Sequence, residues 1–157
     1  IGNYDAVSKE IAEVKKICGK KVLKVILETG LLGNLNNVKK ASEIAIEAGA
    51  DFIKTSTGKV EKNATFEDVF VMLQCIKEHY DKTGKLVGIK PSGGIRSGDD
   101  AIGYVLLLEN ILGDKWKTNK YFRFGASSLA NSVLTEIVNL TKGNTARVDY
   151  FNSNTGY

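Results

Sequence analysis

The feature that most limits what this chain can fold into is a repeated switch of hydrophobic period. Val7, Ile11, Val14 and Cys18 recur at helical spacing, and then Val22-Leu23-Lys24-Val25-Ile26-Leu27 forms a short β-branched run stopped by Glu28-Thr29-Gly30. Val38, Ala41, Ile44, Ala45 and Ala48 make the next helical stripe, with Gly49 where a helix C-terminal glycine belongs. Phe52-Ile53 reads as a second strand, ending at Lys54-Thr55-Ser56-Thr57-Gly58. Thr65 and Asp68 resemble a capping box with the shorter acid, ahead of the apolar face Val69, Met72, Leu73, Ile76 and Tyr80. Leu86-Val87-Gly88-Ile89-Lys90 is a third strand, broken by Pro91. Asp99 and Asp100 open a helix carrying Ala101, Tyr104, Val105, Leu108 and Leu112. Phe122-Arg123-Phe124-Gly125 is a fourth strand, and Leu129, Val133, Ile137 and Leu140 define a last helix.

Strands that alternate with helices this regularly imply right-handed βαβ units and a parallel sheet, hence the α/β class. In such an array every strand ends on the same side, so Lys54, Lys90 and Ser127 are expected on one rim. Four parallel strands, each followed by a helix, are half of a (β/α)₈ barrel, which typically takes ~250 residues. An open four-stranded sheet is the alternative from pattern alone. The half barrel is expected over residues 1–142, and residues 143–157, rich in Asn, Thr and Ser, as a flexible C-terminal tail. A half barrel leaves its first and last strands with bare edges. A dimer or larger assembly, or pairing with a missing N-terminal half, is therefore expected.

Composition narrows the partners. With 43% hydrophobic and 25% charged residues, the 157-residue chain has ordinary globular usage. Lys+Arg exceeds Asp+Glu by 22 to 18, but the cations are scattered among acids, as in Glu10-Ile11-Ala12-Glu13-Val14-Lys15-Lys16. No basic block interleaves with aromatics, so nucleic acid is not an expected partner, whereas a local cationic pocket for a phosphorylated small molecule is. No apolar run approaches the ~20 residues of a membrane span, and no signal-peptide pattern opens the chain. A cytoplasmic location and no membrane partner are expected. Cys18 and Cys75 fit no metal or redox spacing and read as reduced thiols on apolar helical faces, so no metal is expected. His79 reads as a surface residue and Trp116 as a packing residue.

Two strands end in lysine, and long cationic side chains at the ends of apolar runs require a reason. A lysine attacks a carbonyl only as the neutral amine, and lowering its pKa from ~10.4 to ~7 takes roughly 4.6 kcal/mol. A second cation ~5 Å away at an effective dielectric of ~20 supplies about 3 kcal/mol, and partial burial adds to it. A lysine pair can thus prepare a Schiff-base nucleophile, one member reactive and the other charged. Beside the pair, Gly93-Gly94 and Gly125-Ala126-Ser127-Ser128 each precede a helix, where backbone N–H groups can hold an anion. Ordinary turn glycines and an N-capping serine would give the same pattern.

Four segments carry a resemblance to a family. Lys24-Val25-Ile26-Leu27-Glu28-Thr29-Gly30, Asp51-Phe52-Ile53-Lys54-Thr55-Ser56-Thr57-Gly58-Lys59, Gly88-Ile89-Lys90-Pro91-Ser92-Gly93-Gly94-Ile95-Arg96 and Phe122-Arg123-Phe124-Gly125-Ala126-Ser127-Ser128 resemble class I deoxyribose-phosphate aldolases, in the family's order and over nearly the whole chain. The resemblance implies reversible cleavage of 2-deoxy-D-ribose 5-phosphate to D-glyceraldehyde 3-phosphate and acetaldehyde, without a metal or organic cofactor. It implies that Lys54 forms the imine and Lys90 perturbs its pKa. It further implies that Lys24 lines the pocket, and that Thr57, Lys59, Gly93, Gly94, Arg96, Ser127 and Ser128 contact the phosphorylated sugar. Tyr157 matches a C-terminal tyrosine that assists proton transfer at the enamine carbon.

The same resemblance covers only the C-terminal half of the family. The shuttling aspartate belongs to a strand that would precede Ile1, and Asp5 aligns with a helix start instead. The chain on its own is expected to show little aldolase turnover. The other readings are an inactive half barrel that self-associates through its edges, and a phosphate-ligand-binding domain using only the Gly93-Gly94 and Ser127-Ser128 loops.

Overall fold

A computed structural model of the chain describes residues 2–143, so Tyr157 and nearly all of the assigned tail lie outside the described residues. The elements follow the expected alternation. Helix α1 (Tyr4–Cys18) leads into strand β1 (Lys24–Ile26). Helix α2 (Leu35–Glu47) follows, then strand β2 (Phe52–Lys54) and helix α3 (Phe66–Thr83). Strand β3 (Gly88–Lys90), helix α4 (Gly98–Leu112) and helix α5 (Leu129–Lys142) complete the series. Short 3₁₀ turns at Thr29–Leu31 and Asp114–Trp116, which hydrophobic period does not mark, fill two of the connections.

The sheet is parallel in the order β1-β2-β3, with Lys24, Phe52 and Gly88 in one register row, then Val25, Ile53 and Ile89, then Ile26, Lys54 and Lys90. Side chains alternate across a strand. The middle row therefore faces the helices, and the outer two rows face the opposite, inner side. The apolar core sits on the helix side: Ile53 and Ile89 are fully buried with Met72, Leu73 and Ile76 of α3, and Leu108 of α4 joins them. Burial of each such side chain stabilises the fold by about 1.5–3 kcal/mol. Trp116 is buried as expected and donates its indole N–H to the Val87 carbonyl at 2.9 Å.

The expected fourth strand requires a correction. Residues 122–125 run parallel beside β3 but touch it only through isolated bridges, Ile89 with Phe122 and Ser92 with Gly125. The cause is Pro91. Ile89 donates to the Tyr121 carbonyl at 2.8 Å, and Arg123 and Gly125 donate to the Ile89 and Pro91 carbonyls at 3.2 and 2.8 Å. Proline has no N–H to make the bond between those rungs, so the ladder breaks in its middle. The arc of a barrel persists; the continuous strand does not.

Helix caps differ from expectation in one place. Thr65 accepts from the Asp68 N–H at 3.1 Å, but the Asp68 carboxylate turns to Lys62 at 3.4 Å instead of closing a box. The full capping box belongs to Ser97 and Asp100, at the start of α4. At the β1 end of the arc, α1 has no buried residue. Cys75 is buried and Cys18 only partly so. Among the described residues, no helix is long and apolar enough to cross a membrane.

Candidate active site

The register places the two strand-end lysines side by side. Lys54 and Lys90 are direct partners across β2 and β3, so both side chains leave the same, inner face of the sheet at the same height. Lys24 lies on that face one layer lower, opposite Phe52 and Gly88. The missing side chain at Gly88 is what admits the Phe52 ring: a Cβ there would stand 2.5 Å from it. Gly125 does the same for Ser92 and for the Lys90 stem, whose Cε would lie 3.2 Å from an added Cβ.

Two of these amines, Lys90 and Lys24, share an environment that disfavours charge. Lys90 is held below the ordinary lysine range, first by burial and then by the neighbouring Lys24, Lys54 and Arg123. Lys24 is lowered as well, by burial, then Arg123, then Lys54. Lys24 and Arg123 both lie over the Phe52 ring, with the Lys24 Nζ 5.8 Å and the Arg123 Cζ 4.7 Å from its centroid. Amines grouped on one face beside further cations suit nucleophilic attack on a carbonyl carbon.

Beyond the strands, the rim loops are tied together by side chains. The buried Thr55 hydroxyl donates to the Ser92 carbonyl at 3.2 Å and accepts from the Ser92 N–H at 3.0 Å, bonding the β2 loop to the β3 loop. Glu28, at the end of β1, adopts left-handed backbone with φ 52°. Its carboxylate accepts from the Thr57 N–H at 3.1 Å and from the Thr57 hydroxyl. The Thr57 oxygen in turn accepts from the Lys59 N–H at 3.2 Å. Thr57 and Lys59 are thus both exposed on the rim, in one braced turn.

The two glycine-serine loops are not equivalent. Gly93 and Gly94 have φ of 85° and 80°, and an added Cβ at Gly93 would run into the Asn63 side chain. The amides at the start of α4 already have internal acceptors: Arg96 and Ser97 N–H donate to Asp100 at 3.0 and 3.1 Å, and Gly98 N–H to Glu136 at 3.3 Å. This narrows the expectation that both helix starts hold an anion, because the acids that favour an N-terminus also occupy it. At α5 the first turn carries no acid, and Ser128 sits at the N-cap position without a side-chain cap bond. Ser127 is exposed beside it. Of the two, the α5 start better suits a phosphate.

Of the described site candidates, Lys24, Lys54 and Lys90 lie in the strands, and Thr57, Lys59, Gly93, Gly94, Arg96, Ser127 and Ser128 lie in the segments that follow β2, β3 and the fourth segment, with Arg96 exposed. Tyr157 lies outside the described residues. The sequence did not single out Phe52, Arg123, Thr55 or Glu28. For Arg123 the signal was present in the alternation Phe122-Arg123-Phe124, once Phe122 is known to pair with Ile89. Among the described residues, no three His, Cys, Asp or Glu side chains converge on a metal-sized site.

Comparison with known proteins bears on the family and the fold. Residues 3–132 match the model of the DeoC/LacD family aldolases. The chain is 47% identical over 142 residues to the deoxyribose-phosphate aldolase of Homo sapiens, covering 90% of this chain and 45% of that protein. The bovine deoxyribose-phosphate aldolase is 48% identical over the same length and coverage. The chain thus spans a little under half the length of these relatives. Among solved structures, the aldolase QR15 is 34% identical with a TM-score of 0.66, over 87% of this chain and 54% of that one. The tetrameric deoxyribose phosphate aldolase of Aeropyrum pernix is 26% identical with a TM-score of 0.63, over 90% and 51%. By sequence and by fold, this chain belongs to the DeoC/LacD family of aldolases.

Proposed function

We propose that the inner face of this sheet is the Schiff-base half of a deoxyribose-phosphate aldolase site, with Lys54 as the nucleophile and Lys90 as the cation beside it. The observation that carries this reading is the register of the two lysines on one face of adjacent parallel strands. The Lys54 amine attacks the aldehyde carbon of 2-deoxyribose 5-phosphate, and loss of water gives the iminium. Loss of the proton from the C3 hydroxyl breaks the bond between C2 and C3, which releases glyceraldehyde 3-phosphate and leaves C1 and C2 on Lys54 as an enamine. Protonation at carbon and hydrolysis then return acetaldehyde and the free amine. The Ser127-Ser128 start of α5 and the Thr57–Lys59 turn supply donors for the phosphate, with Gly94 leaving the backbone open to it.

A proton shuttle is needed for dehydration and enamine protonation. The carboxylate on the described rim, Glu28, is engaged by Thr57. Turnover by this chain by itself is therefore expected to be far below imine formation. The test is incubation with 2-deoxyribose 5-phosphate and borohydride, followed by peptide mass spectrometry. A reduced sugar-phosphate adduct on Lys54, suppressed by inorganic phosphate, supports the reading. An adduct-free Lys54 at saturating sugar phosphate overturns it.

Assembly is part of the same proposal. The outer edge of β1 has no partner strand among the described residues, and Ile26 and Leu31 beside it are 42% and 71% exposed. A groove of about 420 Å³ lined by Val7, Ile11, Ile26, Leu31 and Ile44 runs along that edge. Such an edge favours association. Sedimentation at micromolar concentration is expected to show a dimer or larger species; a stable monomer would count against it.

A further inference from the structure

We propose that Arg123 is a positioning residue for the imine chemistry: its guanidinium, held on the Phe52 ring, supplies permanent positive charge to the inner face beside Lys24 and Lys90. The inference rests on the Schiff-base reading above and adds a residue to it. Three observations fix the placement. Phe122 bridges to Ile89, which sets Arg123 beside Lys90 in the parallel register. The Arg123 Cζ lies 4.7 Å from the Phe52 centroid, on the inner face. The Arg123 Nε donates to the Asn119 carbonyl at 2.8 Å, so the guanidinium is held by a hydrogen bond as well as by the ring.

The choice of arginine has a chemical reason. A lysine at this place would itself share the proton equilibrium of the group, whereas a guanidinium stays charged throughout. Its delocalised charge also stacks on an aromatic face better than an ammonium does. The charged groups facing one another are Lys24 from β1, Lys54 from β2, Lys90 from β3 and Arg123 from the fourth segment. The acids at the ends of these strands are turned elsewhere. Glu28 is bonded to Thr57 on the rim, and Asp51 takes Lys15 at 2.5 Å and the Leu23 N–H at 2.7 Å. Burial and neighbouring cations, Arg123 among them, both lower Lys24 and Lys90. Arg123 is exposed to solvent in this chain, so its effect is partly screened.

Two readouts separate this inference from the reading beneath it. The first uses chain reductively methylated with ¹³C-formaldehyde, in which each dimethyl-lysine is titrated by NMR; it requires no enzymatic activity. In Arg123→Met, the midpoints of Lys24 and Lys90 are expected to rise by about half a pH unit, with Lys77 on α3 unmoved. Arg123→Gln, which can still donate to Asn119, serves as a second neutral variant should Arg123→Met melt. Arg123→Lys should keep the midpoints near those of the native chain at neutral pH. The second readout is acetaldehyde-borohydride trapping at pH 7, expected to slow about threefold in the neutral variants and to recover at high pH. Unchanged midpoints in both folded neutral variants would overturn the role of Arg123. Shifted midpoints with no trapping in the native chain would retain the electrostatics and reject the Schiff-base reading instead.

Discussion

The middle of the arc and its β1 flank are built from similar sequence but reach different degrees of closure. Around β2 and β3, Ile53, Ile89, Met72, Leu73 and Ile76 are wholly buried. At the flank, α1 carries the same kind of helical stripe, yet Val7 and Val14 are 46% and 42% exposed, and only Ile11 packs partly on the core. The difference teaches that hydrophobic period declares a helix and its apolar face but not whether that face has something to cover it. Strand β2 has a strand on each side and β3 has β2 and the bridged 122–125 segment, whereas β1 has one neighbour among the described residues. The lysine pair sits in the closed part.

Substitutions can break this contrast. Leu73→Ala in the middle is expected to cost about 3–4 kcal/mol, read by urea denaturation. Ile17→Ala on α1, 86% exposed, should stay within about 0.5 kcal/mol. Equal losses would show that α1 is packed in solution and that the flank is closed.

Cysteine chemistry compares the same two regions. Burial and the neighbouring Glu43 and Glu78 push the Cys75 thiol up to about 11. At pH 8 it should react with iodoacetamide about 100-fold more slowly than a free thiol, while the partly exposed Cys18 is labelled first. Labelling of both at one rate, followed by peptide mass spectrometry, would mean that α3 opens as readily as α1.

Thr55→Val probes the rim between the two central loops. It removes the hydroxyl that both donates to and accepts from Ser92 and leaves that backbone unsatisfied, at a cost of about 1–3 kcal/mol in thermal denaturation. A neutral result would mean that the loops are held by the strands alone.

The smallest effect is electrostatic. Because Lys90 is lowered in the fold, the unfolded chain binds its proton more tightly, and stability rises with pH between the lowered value and the ordinary lysine range. Below that window the charged amine is a standing cost. Lys90→Met should therefore raise the melting temperature slightly at pH 7 and flatten the rise above it. Lys24, lowered in the same way, leaves a residual slope. A variant less stable at pH 7 would show that Lys90 is held by attraction instead.

Much of this was legible in the sequence, and the rest was hidden for identifiable reasons. The alternation of periods placed the five helices of the described residues, and the strand ends at Lys54 and Lys90 placed those two lysines side by side. Position in a strand is a local property, and parallel register turns it into proximity. The broken ladder at Pro91 required knowing which strand lay beside it, since a proline interrupts only the pairing its N–H would have made. The occupied start of α4 depended on Glu136, thirty-eight residues along the chain from Gly98. The Arg123–Phe52 stack joins the fourth segment to the second strand, a contact no local pattern encodes.

The assignment of the nucleophile is tested most directly by mapping where acetaldehyde attaches. The folded chain is treated with acetaldehyde and a reducing borohydride at pH 7, and the alkylated fraction at each lysine is quantified by peptide mass spectrometry. Alkylation concentrated on Lys54, well above exposed lysines such as Lys77, and abolished in Lys54→Met, is the expected result. Alkylation spread evenly over the surface lysines, or concentrated on Lys90 with Lys54 unmodified, would contradict it.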